Sequence, residues 1–364
     1  MNRPRIPFDL ASALTLVLLV GPAGACERGS GEVVRAAAPR PVIDTNCPEP
    51  SCLSDTCVTF NSATPFVRPA ATALVPVDST HYGCFAITKI QPGFYVALVQ
   101  EGQNFHRSLS RDGVDWRAKG NVSGIARGNW NNMRCPDPIP DGVQGDMDMY
   151  FSTVVPGQGW QIAYARSNNF GRSWHSRSIV HGSKDPDRYL YQPSVVRFQN
   201  HYLMAYASVC KGSGMAEAEI HVAYSRDGQR WQAHAGNPVL TVGDCGQWDD
   251  GSVNRPRLLV DPDGVTLHLF YSGYGWVNGT VSSRCSKIGH AVSHNLGRDW
   301  CKTALPVLDR PAPGAAWDDN YYLTTSFTWE ESESVLRMYY WGAGGQANGI
   351  GMAETQWPLP DPCP

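Results

Sequence analysis

Short stretches of alternating polar and apolar residues recur along most of this chain. The clearest case is Asp146-Met147-Asp148-Met149-Tyr150-Phe151, where the alternation has the period of a half-buried β-strand. Apolar stretches of similar length lie at residues 94–99, 202–209, 266–271 and 335–341. No helical pattern separates them, so the sequence predicts an all-β protein.

One sequence unit is repeated five times. In each copy a large apolar residue lies five positions before a Ser or Thr, and an Ala or Ser lies two positions before that same Ser or Thr. The copies span 105–110, 162–167, 220–225, 288–293 and 350–355. A Trp follows each copy, and these Trp residues recur at intervals of 58, 57, 69 and 57 residues: Trp116, Trp174, Trp231, Trp300 and Trp357. The interval predicts one four-stranded antiparallel sheet per repeat. We therefore expect a five-bladed β-propeller over residues 79–364.

The turns that follow four of the repeated strands contain Asp or Asn, then Gly, then Trp. In such a turn the Asp or Asn side chain bonds to the backbone, Gly takes the positive-φ position and Trp covers the blade edge. Residues 167–174 and 293–300 resemble the Asp-box of sialidases, which implies a structural role. A sialidase itself would need six blades and an arginine triad, and this repeat occurs five times.

Composition agrees with this fold class. The 364 residues include 36 Gly and 27 Pro, together about 17% against an average near 12%. Aromatic residues make up 10% and charged residues only 17%, which disfavours a helical bundle or coiled coil. The formal net charge of −3 provides no basic excess for nucleic acid. We expect a monomer with no nucleic-acid partner, no cofactor and no metal.

The first 26 residues carry the pattern of an export signal. Arg3 and Arg5 precede an apolar stretch at residues 10–20, and small residues lead to Cys26. This order predicts a signal peptide over residues 1–25, because a membrane span would need about 20 apolar residues. The end of the segment resembles a bacterial lipobox, which implies lipidation of Cys26, a membrane link through that lipid alone, and a cell-surface or periplasmic location. Cleavage after Ala25 without lipidation, giving a secreted protein, is the alternative.

Cysteine usage also favours export. Ten Cys follow Cys26, an even number that allows up to five disulfides. Cys285 with Cys301 is the most local candidate pair outside the N-terminal cluster of Cys47, Cys52 and Cys57. That cluster contains no Cys-x-x-Cys and has no His beside it, so a zinc site is not expected. Residues 26–78, rich in Pro, Ala, Ser and Thr, predict a tether and a Cys-containing segment.

A second motif precedes the predicted inner strand in three repeats: Trp130-Asn131-Asn132, Trp248-Asp249-Asp250 and Trp317-Asp318-Asp319. Counting eight residues on from the first two Trp residues reaches Pro138 and Pro256. This places Asp137 and Arg255 at equivalent positions. Gln192, before Pro193, occupies that position in the third repeat and Thr324 in the fifth.

Inner strands of a propeller converge on its axis, so their starts face one shared pocket. We expect this pocket to contain Asp137, Gln192 and Arg255, with a rim formed by Asp249, Asp318, Trp130, Trp248 and Trp317. Carboxylate, amide and guanidinium groups bind sugar hydroxyls, and indoles stack on pyranose CH groups, so carbohydrate is the expected ligand. The alternative is that the Trp-Asp-Asp segments are turns between blades whose Asp side chains cap backbone groups.

The stretch from Trp248 to Trp300 resembles a blade of the five-bladed glycosidase superfamily, which includes arabinanases, β-xylosidases and invertases. The resemblance is carried by residues 248–251, 256–264, 269–273, 288–293 and 297–300, and it extends over about four blades. It implies a deep axial pocket with three carboxylates: a base or nucleophile, a pKa-modulating Asp and a general-acid Glu. Glycosidic cleavage needs two opposed carboxylates, one to protonate the leaving oxygen and one to attack or activate water.

The chain departs from that pattern at two points. Asp137 fits the second-blade Asp, but Gln192 occupies the position of the expected Glu, and residues 81–84 at the first-blade opening contain no carboxylate. Glu217 and Glu219, in a third-blade loop, are candidate substitutes for the acid.

Two hypotheses follow. In the first, the chain is an exported glycoside hydrolase in which Asp137 orients substrate or tunes a pKa, Asp249 or Asp318 is the base, and a loop Glu is the acid. In the second, it is a non-catalytic, lipid-anchored propeller that binds glycan or protein in the same pocket.

Overall fold

The computed structural model describes residues 65–67, 75–77, 83–125, 130–213, 216, 218–244, 246–277, 280–282, 286–309, 317–319, 321–330, 334–344 and 348–363. All belong to one compact unit, which spans residues 32–364. The predicted signal peptide, Cys26 and most of the predicted tether lie outside these ranges. Within them, no helix has the length and apolar character needed to cross a membrane.

Five four-stranded antiparallel sheets form the five blades, which confirms the predicted five-bladed β-propeller. The bounds of blades 1 to 3 are β2 Phe85–Gln91, β3 Phe94–Glu101, β4 Asn104–Ser110 and β5 Trp116–Asn121; β6 Asn131–Pro140, β7 Met147–Val155, β8 Gly159–Ser167 and β9 His175–His181; and β10 Arg188–Phe198, β11 His201–Cys210, β12 Glu219–Ser225 and β13 Gln232–Ala233. Blade 4 has β14 Ser252–Val260, β15 Leu267–Tyr274, β18 Lys287–Ser293 and β19 Cys301–Lys302, with a small hairpin of β16 Trp276–Val277 and β17 Thr280–Val281. Blade 5 has β20 Tyr321–Glu330, β21 Val335–Ala343 and β22 Asn348–Gln356.

The fourth strand of blade 5 comes from the other end of the chain. Strand β1, Val75–Val77, pairs antiparallel with β22, and Val67 bridges to Glu354 further along the same strand. The ring is thus closed by residues that precede residue 79. Phe66 is buried edge-on against Phe270 and Phe327 and so anchors this segment between blades 4 and 5.

The repeated turns form as their sequence predicts. Ser225 Oγ accepts the N–H of Gly228 at 2.9 Å, and Asp227 Oδ1 accepts the N–H groups of the two residues after the glycine. Gly228 has φ of 72°, and the Trp231 indole donates to its carbonyl at 3.0 Å. The glycines of the other three turns also have positive φ, and each receives the same indole bond. All four turns therefore contain the glycine conformation and the indole bond described for Gly228 and Trp231.

Two disulfides join described residues, Cys84–Cys135 and Cys301–Cys363. The suggested pair of Cys285 and Cys301 is therefore wrong, because Cys301 is bonded to the C-terminal Cys363, which lies beside its strand in space and far from it in sequence. Cys210 is also disulfide-bonded, to a partner outside the described residues. Cys47, Cys52, Cys57 and Cys285 themselves lie outside the described ranges.

Candidate functional site at the propeller axis

Each of three inner strands has a bulge beside a proline, and these bulges show which residues are equivalent between blades. Cys135, Gln192 and Arg255 have positive φ values of 49°, 57° and 51°, and each precedes a proline. The strand register shifts at all three places. Gln192 and Arg255 therefore correspond to Cys135, and the predicted equivalence with Asp137 is wrong by two residues.

Hydrogen bonds between neighbouring blades confirm this alignment. Asp137 Oδ2 accepts the N–H of Val195 at 2.6 Å, and Ser194 Oγ accepts the N–H of Leu258 at 3.0 Å. Ser326 Oγ accepts the N–H of Ile87 at 2.8 Å in the same way. Asp137 is thus the counterpart of Ser194 and Ser326, one layer further along the strands. The equivalent positions in the first layer are Cys84, Cys135, Gln192, Arg255 and Thr324, which we call the hub ring.

The hub ring crosses the axis with bonds between blades. The disulfide joins Cys84 of blade 1 to Cys135 of blade 2. Gln192 Oε1 accepts the backbone N–H of Arg255 at 3.0 Å, and Arg255 Nη1 donates to the carbonyl of Gly83 at 2.7 Å. Four of the five blades are therefore linked in this layer. The space left beside it measures only about 10 Å³.

A buried ion pair lies in the next layer. Arg257 Nη1 of blade 4 donates to Asp137 Oδ1 of blade 2 at 2.5 Å, and both side chains are largely buried. Burial raises the pKa of Asp137 to about 6, although the Arg257 charge and the Val195 N–H oppose this shift. Burial also lowers the pKa of Arg257. We call Asp137 and Arg257 the floor pair, because they form the inner end of the main cavity.

The main cavity, of about 510 Å³, opens on the side of the floor pair away from the hub ring. Its lining comes from the later parts of the inner strands: Ala86, Ile87, Thr88, Lys89, Gln91, Pro92, Asp137, Pro138, Ile139, Pro140, Ser194, Val195, Arg257, Leu258, Ser326, Phe327, Thr328 and Trp329. We call it the axial cavity. Gln192 and Arg255 line the small space at the hub ring, so the structure separates them from Asp137.

Lys89 is the third charged residue of the axial cavity among those described, and it is paired. Its Nζ lies 2.7 Å from Glu330 Oε2, which also accepts the Tyr95 hydroxyl at 2.7 Å. Thr328 Oγ1 donates to the other carboxylate oxygen. Burial raises the pKa of Glu330, but hydrogen bonds from Lys89, Tyr95 and Thr328 outweigh this effect and lower it overall. Glu330 thus serves to fasten blade 5 to blade 1.

The Trp-Asp-Asp motif of blade 4 is packed inside the blade. Trp248 stacks on Tyr271 with 5.8 Å between ring centroids, and its ring also covers Gly273. Asp249 is 0% exposed and accepts the Tyr271 hydroxyl and Lys302 Nζ, each at 2.9 Å. Burial, with the Asp249 charge, raises the pKa of Tyr271. Neither Trp248 nor Asp249 lines either of the two cavities.

Blade 5 repeats this arrangement. Trp317 stacks on Tyr340 and covers Gly342, while Asp318, 1% exposed, accepts the Tyr340 hydroxyl at 2.7 Å. Trp130 packs edge-on against Phe151 at the margin of the blade 2 core. The predicted rim of three indoles and two carboxylates is therefore not assembled at either cavity. The arrangement fits the alternative in which these segments join and cap the blades.

Glu219, one of the two candidate substitutes for a general acid, does not line the axial cavity. Glu219 begins strand β12 and forms an ion pair with Arg188 at 2.8 Å, so it is a strand residue rather than a loop residue. Glu217 lies outside the described residues. Among described residues, one group of His294, Asp361 and Cys363 has metal-ligand spacing, but the Cys363 sulfur is committed to a disulfide.

Sequence reasoning missed Arg257, Lys89 and Trp329. A usable signal was present for Arg257. The pairs Cys135-Pro136, Gln192-Pro193 and Arg255-Pro256 align directly, and this alignment makes Arg257 equivalent in sequence position to Asp137. Counting from Trp130 selected Pro138 instead, because that Trp is two residues closer to its strand bulge than Trp248 is. Lys89 and Trp329 lie near strand ends, where no repeated motif marks them.

No protein-family model and no curated protein matches the chain. Solved structures do match. An N-acetylgalactosamine deacetylase from F. plautii in complex with blood group B trisaccharide is 16% identical, with TM-score 0.63 over 81% of this chain and 96% of that chain. A thermostable family-43 glycoside hydrolase is 18% identical, with TM-score 0.59 over 78% and 96%. A structure from the GH130 family of mannoside phosphorylases and hydrolases is 15% identical, with TM-score 0.60 over 84% and 99%.

The chain has the fold of the glycoside hydrolase propellers. At these identities the likeness concerns the fold alone.

Proposed function

We propose that this protein is an exported carbohydrate-binding propeller that holds a sugar in its axial cavity without hydrolysing it. The observation that carries the proposal is the make-up of the cavity: among its described lining residues the only carboxylate is Asp137, and that carboxylate is bonded to Arg257. Hydrolysis needs two carboxyl groups about 5 to 10 Å apart across the scissile bond.

The layer of the floor pair supports the non-hydrolytic assignment. The counterparts of Asp137 in blades 3 and 5 are Ser194 and Ser326, whose hydroxyl groups cannot act as general acids near neutral pH. The counterpart in blade 4 is Arg257, which is the ion-pair partner of Asp137. Gln192 and the hub disulfide lie outside the axial cavity and supply no carboxylate to it.

The cavity lining supports carbohydrate as the ligand. Asp137 and Arg257 together provide acceptors and donors in one place, which matches hydroxyl groups that both donate and accept. Trp329, which is half-buried and packs edge-on against Trp357, provides aromatic surface for the CH face of a sugar ring, whereas the Phe327 ring is stacked on Phe270 in the core. A volume of about 510 Å³ is within the range of small-molecule sites.

A glycoside hydrolase is the alternative, and one observation favours it. Burial raises the pKa of Asp137 to about 6, which is the range of a working general acid near neutral pH. Reducing-sugar release from a panel of arabinan, xylan, mannan, galactan and starch decides between the two. We expect the wild type to release no more reducing sugar than an Asp137→Asn variant does. Release by the wild type that this variant loses would establish the hydrolase.

Binding is tested by calorimetry on oligosaccharides from the same panel. Ile139→Trp fills the axial cavity from a half-buried position and should abolish binding. Val143→Trp is the matched control, because Val143 is 63% exposed on the hairpin between β6 and β7 and does not line the cavity. Binding lost instead by Trp160→Ala, on the strand-start side of blade 2, would place the ligand at the other end of the axis.

Export and lipid anchoring are proposed from the N-terminal sequence alone. Expression of the full chain in a bacterium with labelled fatty acid should give a labelled membrane-associated protein. The Cys26→Ala variant should lose both the label and the membrane association. An unlabelled wild type whose mature N-terminus is Cys26 would instead indicate simple cleavage after Ala25.

A further inference from the structure

The axial cavity is blind among the residues that the structure describes. Behind the floor pair, Arg257 Nη2 also reaches the carbonyl of Phe85 at 3.5 Å, which ties blade 4 to blade 1. The hub ring adds a second barrier through the Cys84–Cys135 disulfide and the bond from Arg255 to Gly83. A ligand that enters between the strand ends therefore meets two layers of bonded side chains before it could pass along the axis.

The charges of the cavity balance. Lys89 is paired with Glu330, and Arg257 is paired with Asp137, so each described cation at the cavity already has a carboxylate at 2.7 Å or less. A ligand carboxylate or sulfate would have to be desolvated beside Asp137 and Glu330 without a cation of its own. The lining accordingly favours a neutral ligand.

The polarity of the lining changes with depth in the axial cavity. The inner strands run from the hub ring towards the cavity mouth, so position along a strand gives depth. The floor holds Asp137, Arg257, Ser194 and Ser326, while Trp329 lies three residues beyond Ser326, about 10 Å nearer the mouth at the rise of a β-strand. Hydroxyl-binding groups are thus deep, and the half-buried Trp329 ring, which packs edge-on against Trp357, is shallow.

From these three features we infer that the axial cavity receives the end of a neutral glycan chain, with the terminal residue at the floor pair and a following residue against Trp329. This inference rests on the proposed carbohydrate-binding function and adds the class of ligand. A chain end fits a blind cavity, whereas the interior of a polymer needs a groove open at both ends.

The test compares binding of glycan chain ends with binding of the chain interior. Arabinan, xylan, mannan, galactan and starch are each partly depolymerised by random acid cleavage, and binding is measured by competition at equal mass before and after. If chain ends bind, the apparent affinity per unit mass rises in proportion to the number of ends for the recognised polymer. Equal affinity per unit mass before and after cleavage would overturn the inference while leaving carbohydrate binding intact.

Two further readouts address charge and depth. Oligogalacturonates should bind at least about tenfold more weakly than neutral oligosaccharides of the recognised polymer, and equal binding would contradict a neutral site.

Trp329→Ala should weaken binding of a trisaccharide about 2- to 10-fold and leave binding of the monosaccharide nearly unchanged. Equal losses for both would contradict the assigned depth. If no polymer or fragment binds, the proposed function itself fails.

Discussion

The two ends of the propeller axis are built from the same five inner strands but have opposite character. At the strand-start end, the hub ring uses a disulfide, an amide and a guanidinium to link blades, and leaves about 10 Å³ of space. At the other end, the same strands surround a cavity of about 510 Å³. The comparison teaches that residues nearest the axis either close it or line it. Residue type alone does not decide which, since Arg255 helps to close the axis while Arg257 lines the cavity.

The largest expected effect comes from breaking the floor pair, where the two ends meet. Asp137→Ala leaves Arg257 charged and without its partner in a largely buried position, which costs about 3–5 kcal/mol of unfolding free energy. The same variant should lose glycan binding, because a floor acceptor is gone. Urea unfolding and calorimetry measure the two effects.

The double variant Asp137→Leu with Arg257→Met separates stability from binding. Apolar residues of similar size remove both buried charges, so most of the lost stability should return. Binding should stay absent, because the hydroxyl-binding groups are missing. Recovery of binding in this double variant would show that the floor pair is structural and that the ligand lies elsewhere.

The hub disulfide gives the next largest effect. Replacing Cys84 and Cys135 together by Ser removes a cross-link over a sequence separation of 51 residues, which should cost about 2–5 kcal/mol. Replacing Cys301 and Cys363, separated by 62 residues, is the matched control at the periphery and should cost a similar amount. We expect only the hub variant to weaken glycan binding, because it loosens the layer behind the floor. Equal effects on binding would mean that the hub does not support the cavity.

Much of the fold could be predicted because its signals are local. Strand alternation at residues 146–151 and the Ser-x-Asp-Gly-x-x-Trp turn around Asp227 depend on neighbours in sequence, and the structure has both. The site was harder, because its contacts join residues far apart in sequence. Gln192 looks like a binding residue in the sequence, yet its carbonyl oxygen is bonded to the backbone of Arg255. The pairing of Cys84 with Cys135 depends on which strands meet at the axis, which no spacing reveals.

A pH series also distinguishes the two ends of the axis, with a smaller expected effect on glycan affinity. Burial raises the pKa of Asp137 from 3.8 to about 6, so its carboxyl is ionised at pH 7 and becomes protonated as the pH falls below about 6. A protonated carboxyl loses acceptor capacity, so glycan affinity should fall about tenfold between pH 7 and pH 5. In Asp137→Asn this pH dependence should disappear. A ligand at the hub ring would show no such dependence in the wild type, since the disulfide and amide do not titrate in this range.

The same pKa shift fixes the sign of its effect on stability. Because the folded-state pKa lies above the unfolded value, this group favours the folded state fully below about pH 4, and the contribution is lost as the pH rises through about 6. His290 acts in the opposite direction: burial, with the neighbouring His268, lowers its pKa to about 3, so its contribution is present above pH 6.5 and lost on acidification. The difference between wild type and Asp137→Asn in urea unfolding at pH 4.5 and pH 7 isolates the first group.

The smallest expected effect lies away from the axis and tests whether binding changes there merely reflect lower stability. Asp227→Ala removes the acceptor for the N–H groups of Gln229 and Arg230 in one repeated turn, which should cost about 1 kcal/mol in urea unfolding. The turn lines neither cavity, so glycan affinity should be unchanged. This variant could instead lose glycan binding in proportion to its loss of unfolding free energy. The binding losses predicted for the floor and hub variants would then no longer locate the ligand. A structure with bound ligand would be needed to assign binding to one end of the axis.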